Sequence, residues 1–368
     1  MRIDQILPSF GFYDAIGTEN RCIRDLLQKK GIESEIFAEE GVGSGEWRHV
    51  NDYQQYASPD NYIIYHCSIG SLIPYHLMGY SSKLITRYHN ITPAKFFSYP
   101  SFSYARSRVL QGRSQLPMLQ TLSRQYWAVS QYNASELEQY DFEKGSVLSL
   151  MRNYQSLLDV APCEKTSEFL QKDSRKTILF VGRVIPSKAH HDLLFMLQQF
   201  NKYCGSDVRL ICVGSADHYY GFNLLNQLAK DWGLRTSFYK PFSIHSDVIF
   251  TGSVSDHELV SYYKHADVFV CLSDHEGFCV PLVEAMNFKI PILANNEAAI
   301  PETLGSGGSL IEKSNFGELL RILYALIYDQ KERSKFQEAA YNRAKDFHWE
   351  RLKENFYTHV NGLSDQLC

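Results

Sequence analysis

Two glutamates, Glu276 and Glu284, lie in the stretch of this chain whose chemistry is easiest to read, DVFVCLSDHEGFCVPLVE over Asp267–Glu284. A buried strand, Val268–Leu272, is expected to end at Ser273, and Glu276-Gly277-Phe278 then turns the chain. Pro281 suits a first helical turn, and Glu284 follows inside that helix. Gly277 lets a backbone come close to a ligand. The free N–H groups of the helix start favour an anion or a row of sugar oxygens. With seven residues between them, the two carboxylates can grip one hydroxyl-rich ligand at two points. The plain alternative is a solvated helix start with a capping acid.

A second stretch, LFVGRVIPSKAHH over Leu179–His191, ends a strand in Gly182. Arg183 follows at once, and Lys188 sits near the start of the next helix. A planar guanidinium fork and a flexible ammonium both suit a diphosphate, although two surface cations would look the same. A third stretch, SFGFYDAIGT over Ser9–Thr18, is a loop after the first strand. Gly11 and Gly17 flank Asp14 there and allow close approach to a phosphate or sugar. The chain has no GxxxxGK[ST] loop, and no GxGxxG follows a strand, which argues against a P-loop and against a nicotinamide enzyme.

Short Val- and Ile-rich runs alternate with helical segments along the whole chain. They are expected as strands at Arg2–Leu7, Ser34–Ala38, Tyr62–Cys67, Leu84–Tyr88, Tyr126–Val129 and Val147–Leu150 in the first half. In the second half they fall at Thr177–Val181, Val208–Val213, Val248–Phe250, Val268–Leu272 and Ile290–Leu293. Ile16, Ile23, Leu26 and Leu27 line one face of a helix, with Gly31 placed to cap it. This alternation predicts an α/β protein with two doubly wound parallel sheets, whose ligands bind outside the carboxyl ends of the strands and so in a cleft where the two sheets face each other. The expected division is 1–153, a linker over 154–175, a second domain over 176–345, and a last helix over 346–368 packing back toward the first domain.

Composition sets the outer limits. The chain has 368 residues, 44% hydrophobic, 21% charged and 14% aromatic, which excludes a disordered chain, a collagen-like repeat and a coiled coil. Its 37 basic and 41 acidic residues leave a net charge of −4, against a dedicated nucleic-acid binder. The first residues, MRIDQILPSFGF, lack the apolar stretch of a secretory signal, and no window suits a transmembrane helix. Eight cysteines form no CxxC pair. Buried reduced thiols, a cytoplasmic location, and coincidental sequons at Asn90 and Asn133 are the expectation.

EGFCVPLVE followed by AMNFKIPILANNEAAIPE resembles the retaining nucleotide-sugar glycosyltransferases of family 4, which have the GT-B fold. FVGRVIPSK, FTGSVSDHELVSYYKHADVFV and GFYDAIGTENRCIRDLLQKKGIESEIF fall in the family's order. The resemblance implies a GT-B architecture of two Rossmann-like domains facing a central cleft. It implies that Glu276 binds donor-sugar hydroxyls and Glu284 the ribose. It implies that the backbone of Gly277, Phe278, Cys279 and Val280 faces sugar and diphosphate. Arg183 and Lys188 would hold the diphosphate and stabilise the leaving group, and Val254, after Gly252, would pack near the base. His89, at the end of a strand, would reach the sugar or acceptor, as a histidine does in some relatives; otherwise it is a structural histidine satisfying a loop. His66 and Ser68–Ser71 could line the same acceptor side. Two departures are visible: the family often has Gly at the position of Cys279 and usually Gly at that of Ala189.

The implied chemistry is transfer of a sugar from a nucleoside-diphosphate sugar, with retention and no dedicated protein nucleophile. No cofactor beyond that donor and no metal are expected. Asp256-His257-Glu258 resembles an acidic metal triplet but reads better as a helix start capped by Ser255 or Asp256. Residues 81–130 contain no Asp or Glu, while Lys83, Arg87, Lys95, Arg106, Arg108, Arg113 and Arg124 interleave with aromatics. This face suits an anionic membrane or a lipid-diphosphate-linked glycan acceptor, or else simply faces solvent. A nucleotide-sugar epimerase and a non-catalytic carbohydrate-binding partner are the competing classes.

Overall fold

Runs of Ile, Val and Leu without polar alternation build sheets that are covered on both faces. The computed structural model of the chain describes residues 2–11, 14–43, 45–80, 82–205, 207–216, 218–238, 240 and 242–364. It divides into two compact units, one of Met1–Asn153 with Trp349–Cys368, the other of Tyr154–His348.

In the first unit the strands are β1 (Ile3–Phe10), β2 (Ile36–Gly41), β3 (Arg48–His49), β4 (Tyr62–Cys67), β5 (Lys83–Tyr88), β6 (Ser123–Ala128) and β7 (Gly145–Val147). Among the described residues they form one seven-stranded sheet in the order β3-β2-β1-β4-β5-β6-β7, parallel throughout. Every residue of β4 is buried. The helix Ala15–Lys29 buries Ile23, Leu26 and Leu27, each contributing about 1.5–3 kcal/mol on burial. Its end is closed by Gly31, at φ +72°, while Ile32 N–H returns to Leu27 O. The helix Trp349–Ser364 belongs to this unit. Its Phe356 meets Trp127 edge-on at 6.4 Å, and Tyr62 Oη donates to Leu363 O at 3.1 Å.

In the second unit the strands are β8 (Lys176–Val181), β9 (Val208–Val213), β10 (Thr236–Phe238), β11 (Val248–Phe250), β12 (Val268–Cys271), β13 (Ile292–Asn295) and β14 (Ser309–Ile311). Their order is β10-β11-β9-β8-β12-β13-β14, again parallel. The stretch 154–175, read above as a linker, is folded here. It holds a 3-10 turn at Tyr154–Asp159 and a helix at Glu164–Gln171, with Leu157, Thr166 and Leu170 buried. The buried Arg209 of β9 binds Asp173 at 3.2 Å and Leu170 O at 2.9 Å, which fixes that stretch to the sheet.

The three strands that the sequence reading misses are β3, β10 and β14, each two or three residues long. All lie at sheet edges, where one neighbour and solvent exposure remove the apolar signal.

Candidate active site

In the second unit the carboxyl ends of β8, β11 and β12 carry most of the residues that the sequence singles out. Gly182, Gly214 and Gly252 crowd the ends of β8, β9 and β11. Gly214 N–H bonds Gly252 O at 3.1 Å, and a Cβ on Gly214 would lie 2.1 Å from Gly182 O. No side chain fits at Gly214, which lets the ends of β8 and β9 come together. Gly214 belongs to no recognisable sequence pattern. Arg183 follows, exposed, its carbonyl accepting from Ile185 N–H at 3.0 Å.

After β12 the chain runs through Ser273, which is buried, and Asp274, whose N–H bonds Ser187 O at 2.9 Å. That bond ties the loop to the Pro186–Lys188 turn. Its consequence is an ion pair: Lys188 Nζ lies 2.6 Å from Glu276 Oε1, both side chains largely buried. Asp274 also pairs with Lys313, which holds Asp192 at 2.5 Å. Backbone bonds fix the turn from behind. Ala299 N–H reaches Glu276 O at 3.2 Å, and Thr303 Oγ1 donates to Phe278 O at 2.5 Å. Phe278 itself is buried edge-on against Phe347 at 5.7 Å. Gly277 and Val280 are half-buried at the turn and the helix start.

The helix Val280–Asn287 begins after Cys279, which adopts φ +73°, ψ +69°. Ala189, which precedes the helix His190–Tyr203, is also left-handed, at φ +52°, ψ +42°. These are the two positions where the resembled family tends to have glycine, and the backbone supplies the reason: a Cβ there is strained. Cys279 Sγ lies 3.9 Å from Cys271 Sγ, and that contact together with burial holds the Cys279 thiol well above its ordinary value. The seven described cysteines are free thiols; Cys368 lies outside the described residues. Glu284 is buried, and its Oε2 accepts from Tyr263 Oη at 2.7 Å. Tyr263, which no sequence signal marked, is stacked on Phe288 at 5.0 Å. Val254 is half-buried just ahead of Ser255, whose capping box with Glu258 starts the helix Asp256–His265. The acidic triplet there is thus a helix start.

In the first unit, Gly17 lies inside the helix Ala15–Lys29, and its N–H is capped by Asp14 Oδ1 at 2.5 Å. A Cβ on Gly17 would sit 1.8 Å from Gly11 O, so glycine is required by the loop's own packing. Phe12 and Tyr13 of that loop lie outside the described residues. His89 Nε2 lies 2.9 Å from His66 Nδ1 and 3.3 Å from Glu19 Oε2. Arg87, counted above among the cations of a basic face, is instead wholly buried and donates to Glu19 Oε1 at 2.6 Å. Arg113 is likewise committed, to Glu136 at 2.7 Å and Ile91 O at 2.5 Å. A buried guanidinium needs such partners, and a carboxylate-free sequence window says nothing of acids arriving from elsewhere in the chain. Ser81, at the start of that window, lies outside the described residues. Among the described residues, two sets of three ligand-type atoms converge within 4.8 Å, Glu19–His66–His89 and Cys271–Glu276–Cys279. In the second set Glu276 is already engaged by Lys188.

Residues 164–343 match the family described as "Glycosyl transferases group 1". The chain is 26% identical over 132 residues to the serotype-specific mannosyltransferase WbdA of Escherichia coli, covering 36% of this chain and 15% of that protein. It is 30% identical over 188 residues to the GDP-mannose-dependent alpha-mannosyltransferase of Corynebacterium glutamicum, covering 50% of this chain and 40% of that protein. The chain thus spans well under two thirds of the length of these curated relatives. Among solved structures, HepE from Anabaena in complex with UDP-glucose superposes with a TM-score of 0.74 at 16% identity, covering 98% of this chain and all of that one. The chain has the GT-B fold, and the match to the group 1 glycosyl transferases lies within its second unit.

Proposed function

We propose that this protein is a retaining glycosyltransferase that moves a sugar from a nucleoside-diphosphate sugar to a hydroxyl of a glycan or lipid-linked glycan, in polysaccharide or glycoconjugate synthesis. One observation carries the reading: the Lys188–Glu276 ion pair stands at a helix start whose next buried carboxylate is Glu284, within the group 1 segment. In this reading Lys188 and Arg183 take the diphosphate, Glu276 the sugar hydroxyls, Glu284 the ribose hydroxyls, and the turn from Gly277 to Val280 offers backbone N–H groups. Val254 packs near the base. The named donors of the relatives, GDP-mannose and UDP-glucose, are the first candidates.

The reaction breaks the bond between the anomeric carbon and the diphosphate oxygen. A bond from the acceptor oxygen forms on the same face, the acceptor proton passes to a phosphate oxygen, and nucleoside diphosphate leaves. The cations stabilise the charge that grows on the departing phosphate, which is where catalysis gains most. Close placement of the acceptor supplies the rest. No protein nucleophile, metal or further cofactor is assigned. Gly17 and His89 serve the first unit's share of sugar or acceptor binding.

Peripheral contact with an anionic membrane is part of the proposal. The region 81–130 exposes Tyr99, Tyr104 and Leu110 beside the exposed Lys95 and Arg106, and the helix Ile73–Leu77, which packs on the helix Ser103–Leu122, adds Tyr75, with Met78 exposed just after it. No helix among the described residues is long and apolar enough to cross a membrane.

The test is a panel of nucleotide sugars with glycan and lipid-linked acceptors, read as nucleoside diphosphate released and product formed. Acceptor-dependent release is expected, with Glu284→Ala losing donor-induced thermal stabilisation. Isomerised nucleotide sugar without acceptor would instead indicate an epimerase. Binding without turnover would indicate a carbohydrate-binding protein.

A further inference from the structure

The imidazole pair of the first unit is part of a buried chain of hydrogen bonds with one consistent direction. It begins at Asn20 O, a backbone carbonyl, which can only accept. Gln5 Nε2 donates to it at 2.8 Å, so the Gln5 amide is oriented with Oε1 on the other side. His66 Nε2 lies 3.1 Å from that Oε1 and must therefore carry the proton. Burial pushes the His66 and His89 imidazoles well below their ordinary value, so each holds a single proton at neutral pH. His66 Nδ1 is then a lone pair. His89 Nε2, 2.9 Å away, has to donate to it.

Glu19 enforces the same answer. Its Oε2 stands 3.3 Å from His89 Nε2 and 3.8 Å from His66 Nδ1, while Oε1 is occupied by Arg87 and by Met151 N–H at 2.8 Å. A lone pair on His89 Nε2 would face a carboxylate and a second lone pair at once. A proton there relieves both. The ring planes are within 17° of parallel and the centroids are 5.2 Å apart, so the 2.9 Å contact lies along the line of centroids, the geometry of an in-line N–H···N bond and not of two lone pairs converging on an ion. What remains is His89 Nδ1, buried and without a partner among the described residues. A buried ring nitrogen left unpaired costs about 1–3 kcal/mol, which an O–H donor arriving at this atom would recover.

We infer that His66, oriented by Gln5, is a positioning residue that fixes His89 in the Nε2–H tautomer and so leaves His89 Nδ1 as a bare acceptor for a hydroxyl of a sugar. The inference rests on the glycosyl-transfer reading for the identity of the hydroxyl, but the tautomer stands independently of it. A lone pair at this point selects chemistry. It accepts from a neutral O–H donor and repels a phosphate or carboxylate oxygen, so this position takes the hydroxylated part of a substrate and not its anionic part.

The experiment is long-range proton–nitrogen correlation spectroscopy on the full chain labelled with 15N-histidine. His89 is expected to be protonated at Nε2 and bare at Nδ1. His66→Gln should preserve this, because a glutamine amide can donate to Gln5 and accept from His89, and it assigns the His66 signals by their loss. His66→Phe removes the acceptor and should let the Nδ1–H form of His89 appear. In initial-rate assays with nucleotide sugar and acceptor, His66→Phe should lose about tenfold in kcat/KM, with His66→Gln restoring most of it. A proton on His89 Nδ1 in the parent protein overturns the inference, as does coordinated loss of both histidine signals on adding Zn2+ alone. Unchanged kcat/KM in a His66→Phe variant with the altered tautomer also overturns it. A parent protein with the expected tautomer that transfers no sugar counts against the glycosyl-transfer reading and leaves the tautomer supported. If His66→Phe does not fold, the parent and His66→Gln spectra still decide.

Discussion

Lys188 Nζ and Glu276 Oε1, 2.6 Å apart, join two segments of the second unit that are far apart in sequence and that the proposed reaction requires together. In the proposed reaction the ammonium clamps the leaving group, and in the structure it also sets where the carboxylate stands. Removing either partner strands the other, largely buried, without its counter-charge. Lys188→Ala and Glu276→Ala should each lower kcat by about 100- to 1,000-fold. The double variant should fall little further, because the two act as a unit. Steady-state release of nucleoside diphosphate from the four proteins measures this. Fully multiplicative losses would show that the two side chains act separately.

Glu284 depends on Tyr263 in a different way. Their 2.7 Å bond orients a buried carboxylate whose proposed task is to bind ribose. Tyr263→Phe keeps the ring stacked on Phe288 and deletes only the hydroxyl. The expected result is a rise of about tenfold in KM for the donor with kcat little changed, since ribose binding is the same in ground and transition states. A fall in kcat with constant KM would place Glu284 at the reacting centre instead.

Ala189 and Cys279 carry left-handed backbone where glycine is the unstrained choice. A left-handed residue with a Cβ costs about 1–2 kcal/mol, and glycine gives back about 0.5–1 kcal/mol in unfolded-chain entropy. Ala189→Gly should therefore stabilise the second unit by about 0.5–1 kcal/mol in urea unfolding. Cys279→Gly should gain less, because it also removes a buried thiol in contact with Cys271. A clear loss of stability in Ala189→Gly would mean that its methyl group contributes more by packing than its backbone costs.

How much of this was legible in the sequence follows from which interactions are local. The long central strands announce themselves by buried Ile and Val, and the turn at Glu276–Val280 by its glycine and proline. Partners that arrive from distant segments leave no such trace. Tyr263 beneath Glu284, Thr303 behind Phe278, and Glu19 beside Arg87 are each set by the fold alone. The same reason explains the apparent basic face. Seven cations in a window free of acids look unpaired until the sheet brings Glu19 and Glu136 to two of them. The glycines behave oppositely. Gly17 reads as a ligand-approach residue, yet its immediate requirement is the carbonyl of Gly11.

His190 yields the last prediction, and nothing in its sequence neighbourhood gave it a role. It is wholly buried against Phe180, ring centroids 4.8 Å apart, with neither ring nitrogen partnered among the described residues. Burial first, then Lys188 and His191, lower its pKa to about 3. An unfolded histidine titrates near 6.5. Above that pH neither state binds the proton, and stability is level. As pH falls below it, the unfolded state takes up a proton that the folded state refuses, so stability declines down to about pH 3. For this one group the loss between pH 7.5 and pH 5 is about 2 kcal/mol. Asp173 and Asp247, held below the ordinary carboxylate range, titrate under that window and do not obscure it. Urea unfolding of the second unit's transition at the two pH values measures the drop. His190→Phe, which keeps a ring of similar shape and cannot protonate, should flatten it. An equal drop in that variant would assign the acid sensitivity to other groups.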